Sequence, residues 1–321
     1  MGITIVLFIV GLILLIKGGD WFVDGATGIA KKLHIPEILI GATVVSIGTT
    51  LPEVMVSATS ALSGHGEMAY GNSIGSIICN TSLIAAITIT FKPTEIDRAS
   101  LKFPTIIFFI SAVIYVAIAY FFGTFARWCG IILLAIFIVY IVFSILNSKN
   151  SPKHDEDDEE NIDNKMLLKN IFFLILGAAL IAFGADLLVD NGTIIAKEMG
   201  VSEAVIALTF IALGTSLPEL VTAITSLAKG HGALSLGNII GANILNLVLV
   251  SGVAITFSPF AVPNNTQILG INSSLLIDIP IMLIVMMLLT IPALKSGKLS
   301  KIQGILLLII YISFCAIQFI V

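Results

Sequence analysis

Apolar runs separated by short polar breaks cover almost the whole chain. Ten of them are long enough to cross a hydrocarbon core of about 30 Å, near residues 3 to 19, 36 to 62, 68 to 91, 102 to 122, 127 to 147, 166 to 186, 202 to 228, 233 to 257, 270 to 292 and 302 to 320. The pattern predicts an all-α polytopic membrane protein with ten transmembrane helices. Runs two, three, seven and eight carry Gly, Pro, Ser, Thr and Asn, whereas four, five, nine and ten are dominated by Ile, Leu, Val and Phe. Hydrocarbon penalises polar side chains, so the first set is expected to face protein or water and the second lipid.

One stretch breaks the apolar character. Residues 148 to 165 are polar and acid-rich without periodicity, which reads as a solvated linker. It separates a first five-helix repeat, 1 to 147, from a second, 166 to 321. The halves match at a constant offset of 166, from Gly11/Gly177 through Gly18/Gly184, Asp20/Asp186, Asp24/Asp190 and Glu37/Glu203. The register is densest between 40 to 80 and 206 to 246, where 18 of 41 residues are identical without a gap. Five is odd, so the second copy enters the membrane upside down. Inverted repeats are a transporter architecture with the substrate site at the repeat interface.

Composition and charge narrow this further. With 57% hydrophobic and 11% charged residues, the chain is no ordinary soluble domain, and its net charge of -4 gives no reason to expect a nucleic-acid partner. The position of Lys and Arg is more informative than their number. With the N-terminus outside, 14 of the 16 basic residues fall on the inside and only Arg127 and Lys197 outside. The expectation is a cell-membrane protein with both termini outside and a cytoplasmic linker.

Several other readings fall away. Met1 to Ile16 has no basic residue ahead of its apolar run and Lys17 after it, the wrong polarity for a cleaved signal. Val6 stands where myristoylation needs Ser or Thr. Cys79, Cys129 and Cys315 lie in apolar runs and read as packing residues. The acids at 155 to 160 lack the spaced ligands and turn glycine of a calcium loop.

Candidate chemistry gathers in Gly48-Thr49-Thr50-Leu51-Pro52-Glu53 and its copy Gly214-Thr215-Ser216-Leu217-Pro218-Glu219. An ionisable residue at membrane depth is a functional-site hypothesis by default. Ser46, Thr49 and Glu53 are spaced by three and four residues and share one helical face. Pro52 has no N–H, so the carbonyl of Gly48 loses its helical partner. Bare carbonyls at this depth are tolerated only inside protein or beside a wet cavity. Helices three and eight add Gly71-Asn72-Ser73-Ile74-Gly75-Ser76 with Asn80, and Gly237-Asn238-Ile239-Ile240-Gly241-Ala242 with Asn246. Two carboxylates, several hydroxyls and freed carbonyls form the all-oxygen shell that hard cations take.

Each group has a plainer reading beside this one. A lone Ser or Thr bonds its own backbone, and Asn80 or Asn246 alone serves as interhelical glue. A duplicated Glu beside a duplicated Pro, with no basic residue in the four polar helices, has no such alternative. His65 and His231 sit in matching Gly-His-Gly turns on opposite faces and read as turn residues. Asp20, Asp24, Asp186 and Asp190 read as caps or entrance charges at the ends of helices one and six, and Asp278 is an acid without an assigned role.

These duplicated G-T-[TS]-L-P-E segments, each followed by G-N-x-I-G-x-x-x-x-N, resemble the alpha-repeats of the cation/calcium exchanger superfamily, most closely its microbial sodium/calcium exchangers. The resemblance covers the whole chain. It implies antiport of calcium outward against entering sodium by alternating access, with no cofactor, by a protein that works as a monomer in the lipid bilayer. Glu53 and Glu219 resemble the shared calcium and sodium ligands, and the backbone oxygens of Thr49 and Thr215 would complete the calcium site. Thr50, Ser216, Ser76 and the carbonyls of Ser46 and Ala212 resemble sodium ligands, while Asn80 and Asn246 would flank the centre. Helices one and six would be the sliding gate bundle.

The chain departs from the family pattern where Ala242 replaces the Ser symmetric to Ser76, and where Asn246 stands in place of an Asp found in some microbial and potassium-dependent relatives. The second change argues against potassium coupling. Thr49 and Thr215 stand where the proton/calcium branch has Asn, which disfavours proton/calcium antiport as the alternative. A cation channel is a more distant one, because channels draw rings of ligands from symmetric oligomers. No enzymatic motif has usable spacing.

Overall fold

The computed structural model of the 321-residue chain describes residues 2–33, 35–93, 95–149, 164–198, 214–264, 267–268 and 270–320. In chain order the helices are α1 (Gly2–Leu33), α2 (Glu37–Leu62), α3 (Gly66–Phe91), α4 (Arg98–Phe122), α5 (Arg127–Lys149), α6 (Asn164–Glu198), α7 (Leu217–Ala228), α8 (Gly232–Phe257), α9 (Ser274–Ser296) and α10 (Lys301–Ile320). Among the described residues, all but α7 are long and apolar enough to span a bilayer. The acidic run at 155 to 160, Glu203, Ala212 and the first part of the seventh expected span lie outside the described residues.

Most spans fall within about four residues of the sequence expectation, and two do not. α1 continues to Leu33 and α6 to Glu198, so Lys17, Asp20, Asp24, Asp186 and Asp190 lie within helices instead of at their ends. At 1.5 Å per residue, α1 is about 48 Å long, well beyond the hydrocarbon thickness. Gly18 and Gly19 read as the end of a helix in the sequence, yet here they are contact residues. A Cβ on Gly11 would lie 2.9 Å from the Gly184 carbonyl oxygen, and one on Gly18 would lie 3.0 Å from that of Gly177. The two helices therefore pack backbone to backbone.

The two halves share one architecture beyond the repeat visible in the sequence. Gly123 ends α4 and Gly297 ends α9, both with positive φ, 64° and 70°. The Gly123 carbonyl accepts from the Val262 N–H and the Gly297 carbonyl from the Ile96 N–H, each at 2.9 Å. Ile96 and Val262 are themselves 166 residues apart, so one contact is the image of the other. Next to them, Thr124–Phe125 (β1) pairs antiparallel with Phe260–Ala261 (β2), and Glu95 bridges Lys298. Deeper in, a Cβ on Gly130 would meet Thr256 Oγ1 at 2.4 Å, and one on Gly304 would meet Thr90 Oγ1 at 2.3 Å.

These pairs place α4 and α5 against α9 and α10 at an offset of 174, not 166. The eight added residues coincide with the hairpin of Gln267–Ile268 (β3) and Ile271–Asn272 (β4), which the first half lacks.

Burial follows the polar pattern only in part. α8 is the most enclosed span, with every residue from Leu234 to Val248 buried. α5 and α10 expose Ile131, Ile138, Ile309 and Ile312 outward, as a lipid face requires. α1 and α6 do the same with Ile13, Ile16, Phe172 and Ile175, although neither belongs to the set expected to face lipid. Among the described residues, four short π-helical segments interrupt the spans: Gly41–Val45, Asn80–Ala85, Asn246–Val250 and Ser274–Asp278. Such bulges release backbone groups from the helical ladder and recur at functional sites.

Candidate ion-binding site

The duplicated acidic segments meet in the centre of the bundle, but each is built differently. In the first repeat the helix runs without a break through Pro52, because Ser46–Leu62 keeps helical geometry on both sides of it. In the second, Thr215 and Ser216 form a turn, Ser216 is the N-cap at φ −93°, and the helix restarts at Leu217 with Pro218 in its first turn. Proline is well placed there, since its missing N–H is one that a helix start leaves unpaired anyway. Glu219 consequently sits in the first turn of α7, where the helix dipole favours negative charge.

Glu53 and Glu219 are both fully buried and close enough for their charges to repel. Neither forms an ion pair with a basic residue among the described residues. Both oxygens of Glu53 and Oε2 of Glu219 lack a hydrogen-bond donor among the described residues, while Oε1 of Glu219 accepts from the Thr50 hydroxyl at 3.4 Å. An uncompensated buried carboxylate costs on the order of several kcal/mol. Two facing each other call for a positive charge between them.

Around the carboxylates the oxygen groups are in place. Thr49 is buried and donates toward the Ser46 carbonyl at 3.3 Å and toward Asn238 Oδ1 at 3.2 Å. Ser46 donates to the Thr43 carbonyl at 3.1 Å, so its own hydroxyl is committed to backbone. Ser216 Oγ is buried without a partner, and Thr215 is half-buried beside it. Ser76 is buried on α3, one turn before Asn80. Asn80 and Asn246 each begin a π-helical segment at the same register, and neither amide has any partner for its oxygen or nitrogen. Buried amides are ordinarily paired, so these two are left with unused hydrogen-bonding capacity. Ala212, the remaining candidate, lies outside the described residues.

The glycines of the two motifs also differ. Gly237 and Gly241 press on the backbone of α2, with an added Cβ 2.2 Å from the Ile38 carbonyl oxygen and 2.5 Å from that of Ala42. Gly71 and Gly75 meet no described residue within 4 Å.

Sequence reasoning passed over several polar residues that the structure brings into this core. Asn72 donates to the Glu53 carbonyl at 3.2 Å and to Ser57 Oγ at 2.8 Å. Asn243 donates to Thr81 Oγ1 at 2.7 Å and to the Met286 sulfur at 3.2 Å. Thr222 and Ser226 on α7 are buried with hydroxyls unpaired. Asn72 and Asn238 were visible as a duplicated motif, but nothing in the sequence shows which way each amide turns. Of the two turn histidines, His231 pairs with Glu37 through Nδ1 and Oε1 at 2.7 Å. Lys229, two residues earlier, bonds Asp24 at 2.7 Å and Asp20 at 3.4 Å on α1.

Known proteins are similar to this chain over almost its whole length. The sodium/calcium exchanger protein family matches residues 3–146 and 169–320. The chain is 34% identical to the putative antiporter CaxA of Alkalimonas amylolytica over 98% of both chains. It is 30% identical to the sodium/calcium exchanger MaX1 of Methanosarcina acetivorans over 99% of both. Its fold superposes on the solved structure of the sodium-calcium exchanger NCX_Mj with a TM-score of 0.82, at 30% identity and 98% coverage of each chain. With nearly its full length matched, and the two buried glutamates at the interface of its halves, the chain belongs to the sodium/calcium exchanger family.

Proposed function

We propose that the chain is a secondary antiporter that carries calcium out of the cell in exchange for sodium moving in, by alternating access at the interface of two inverted five-helix repeats. The observation that carries this reading is the pair of fully buried carboxylates, Glu53 and Glu219, with three of their four oxygens lacking a donor. One divalent ion neutralises both; replacing it with monovalent ions leaves the same oxygens available for sodium. Backbone oxygens of Thr49 and Thr215 serve calcium. Thr50, Ser216, Ser76 and the carbonyls of Ser46 and Ala212 serve sodium, with the amides of Asn80 and Asn246 at the centre.

One chain supplies both halves of this site, so it works as a monomer and needs no cofactor. The distribution of basic residues supports both termini outside and a cytoplasmic linker. The halves, 1 to 147 and 166 to 321, act as units with the ion path between them.

Calcium flux in proteoliposomes with sodium and proton gradients imposed separately tests this. Sodium-gradient-driven calcium movement that Glu53→Gln and Glu219→Gln abolish is expected. Calcium movement driven by a pH gradient alone, with no sodium present, overturns it in favour of proton exchange.

A further inference from the structure

Asn72 and Asn238 occupy the same register in the two repeats, yet their amides do different things. Asn72 turns toward its own repeat, donating to the Glu53 carbonyl and to Ser57 Oγ. Asn238 turns across to the other repeat, where its Oδ1 accepts the Thr49 hydroxyl at 3.2 Å. Its Nδ2 is buried with no acceptor. The residue at the register of Ser57 is Ala223, so Asn238 lacks the counterpart of the hydroxyl that holds Asn72.

The Thr49 hydroxyl has a single hydrogen. Three acceptors compete for it: the Ser46 carbonyl at 3.3 Å, Asn238 Oδ1, and the Glu219 carboxylate, which Thr49 and Thr50 both approach. Directed at Glu219, the hydrogen occupies a lone pair that a cation needs. Directed at Asn238, it leaves that carboxylate free and presents the hydroxyl's own lone pairs to the site. An orphaned buried N–H is costly to a fold, and Asn238 bears that cost in the orientation that serves Thr49.

We propose that Asn238 is a positioning residue for ion binding, which draws the Thr49 hydrogen away from the Glu219 carboxylate, and that Ser57 keeps Asn72 from doing the same for Thr215. The proposal rests on Glu53 and Glu219 being the ion ligands. It makes the two halves of the site unequal through one non-ligand position, Ser57 against Ala223.

The test is sodium-dependent calcium flux in proteoliposomes, read as apparent calcium affinity, alongside thermal unfolding of the same proteins in detergent. Asn238→Leu and Thr49→Val are each expected to weaken apparent affinity about threefold to tenfold, the size of one hydrogen bond. The double variant should be no weaker than Thr49→Val alone. Multiplying effects overturn the proposal. Ala223→Ser supplies the missing hydroxyl to Asn238 and keeps the test open if Asn238→Leu does not fold. It is expected to weaken calcium affinity by a similar factor while holding or raising the unfolding temperature, and Ser57→Ala added to it, which frees Asn72 to serve Thr215, should recover part of the lost affinity. A higher unfolding temperature with calcium affinity unchanged would mean Asn238 is merely structural. Flux that survives Glu53→Gln and Glu219→Gln would instead remove the site assignment beneath the proposal.

Discussion

The Thr50 hydroxyl of the first repeat donates to Oε1 of Glu219 in the second, 3.4 Å away. It is a direct polar bond between the halves at the carboxylate pair, and it leaves three of the four carboxylate oxygens still without donors. Thr50→Val keeps the shape of the side chain and removes the donor. Apparent sodium affinity is expected to fall about threefold to tenfold, the scale of one ordinary hydrogen bond, as a contact of 3.4 Å warrants. Thr50→Ser should recover most of it. Sodium-concentration dependence of calcium flux measures both.

An ion held between the buried Glu53 and Glu219, as proposed, is part of the folded state. A ligand that binds only the native protein stabilises it by about 2.7 kcal/mol at a hundred times its dissociation constant. Calcium is therefore expected to raise the unfolding temperature in detergent in a concentration-dependent way. In the Glu53→Gln, Glu219→Gln double variant the dependence should vanish, and the calcium-free protein should be more stable than wild type. A double variant that retains the calcium-induced shift would place the ion elsewhere.

Close backbone packing around the site limits what side chains can be added. A Cβ on Gly237 would lie 2.2 Å from the Ile38 carbonyl oxygen, which is backbone and cannot swing aside. Gly237→Ala is expected to destabilise by about 1–3 kcal/mol or more, read as a lower unfolding temperature with no change in the ratio of sodium to calcium affinity. Gly64 and Gly230, with φ of 82° and 87° in the two Gly-His-Gly turns, have open space but left-handed backbone. Alanine there costs stability through conformation instead of collision.

Lys229 ties the α7–α8 turn to Asp20 and Asp24 of α1. The residue at its register in the first repeat is Ser63, so the inverted copy has no lysine to offer Asp186 and Asp190. A tie present at one end only favours the arrangement that contains it. Half-exposed pairs are worth at most about 1 kcal/mol, so Lys229→Ser should change the ratio of apparent calcium affinities measured from the two membrane faces by no more than about fivefold. Equal affinities from both faces, before and after, would show that the pair carries no bias. Maximal transport rate is not expected to collapse.

Much of this arrangement was legible in the sequence, for a physical reason that differs from element to element. The repeat stands out between 40 to 80 and 206 to 246 because close glycine contacts, buried hydroxyls and paired acids tolerate few substitutes. It fades in α4, α5, α9 and α10, which lipid constrains only to be apolar. There the glycines at 123 and 297, and at 130 and 304, mark the correspondence, but the hairpin at 267 to 272 shifts their offset to 174 and hides it. α1 and α6 were expected to end early because Gly18-Gly19-Asp20 and Gly184-Ala185-Asp186 look like helix ends in water. Packed against another helix, the same glycines are assets. The roles of Asn72 and Asn238 were out of reach for another reason: an amide's orientation depends on neighbours such as Ser57 and Ala223 that come near only in the folded chain.

Gly11 and Gly184 touch through bare backbone, as do Gly18 and Gly177, and Gly25 lies against the Asn170 carbonyl oxygen. Leu14, Ile181 and Leu187 fill the space beside these glycines, so sliding α1 along α6 breaks contact along about five turns of helix. They form a single two-stranded lever. α1 meets α7 instead through side chains that can exchange places, with Gly19 facing Thr225 and Val221. A stroke that preserves these contacts carries both long helices together, and what moves one half of the protein then moves the other.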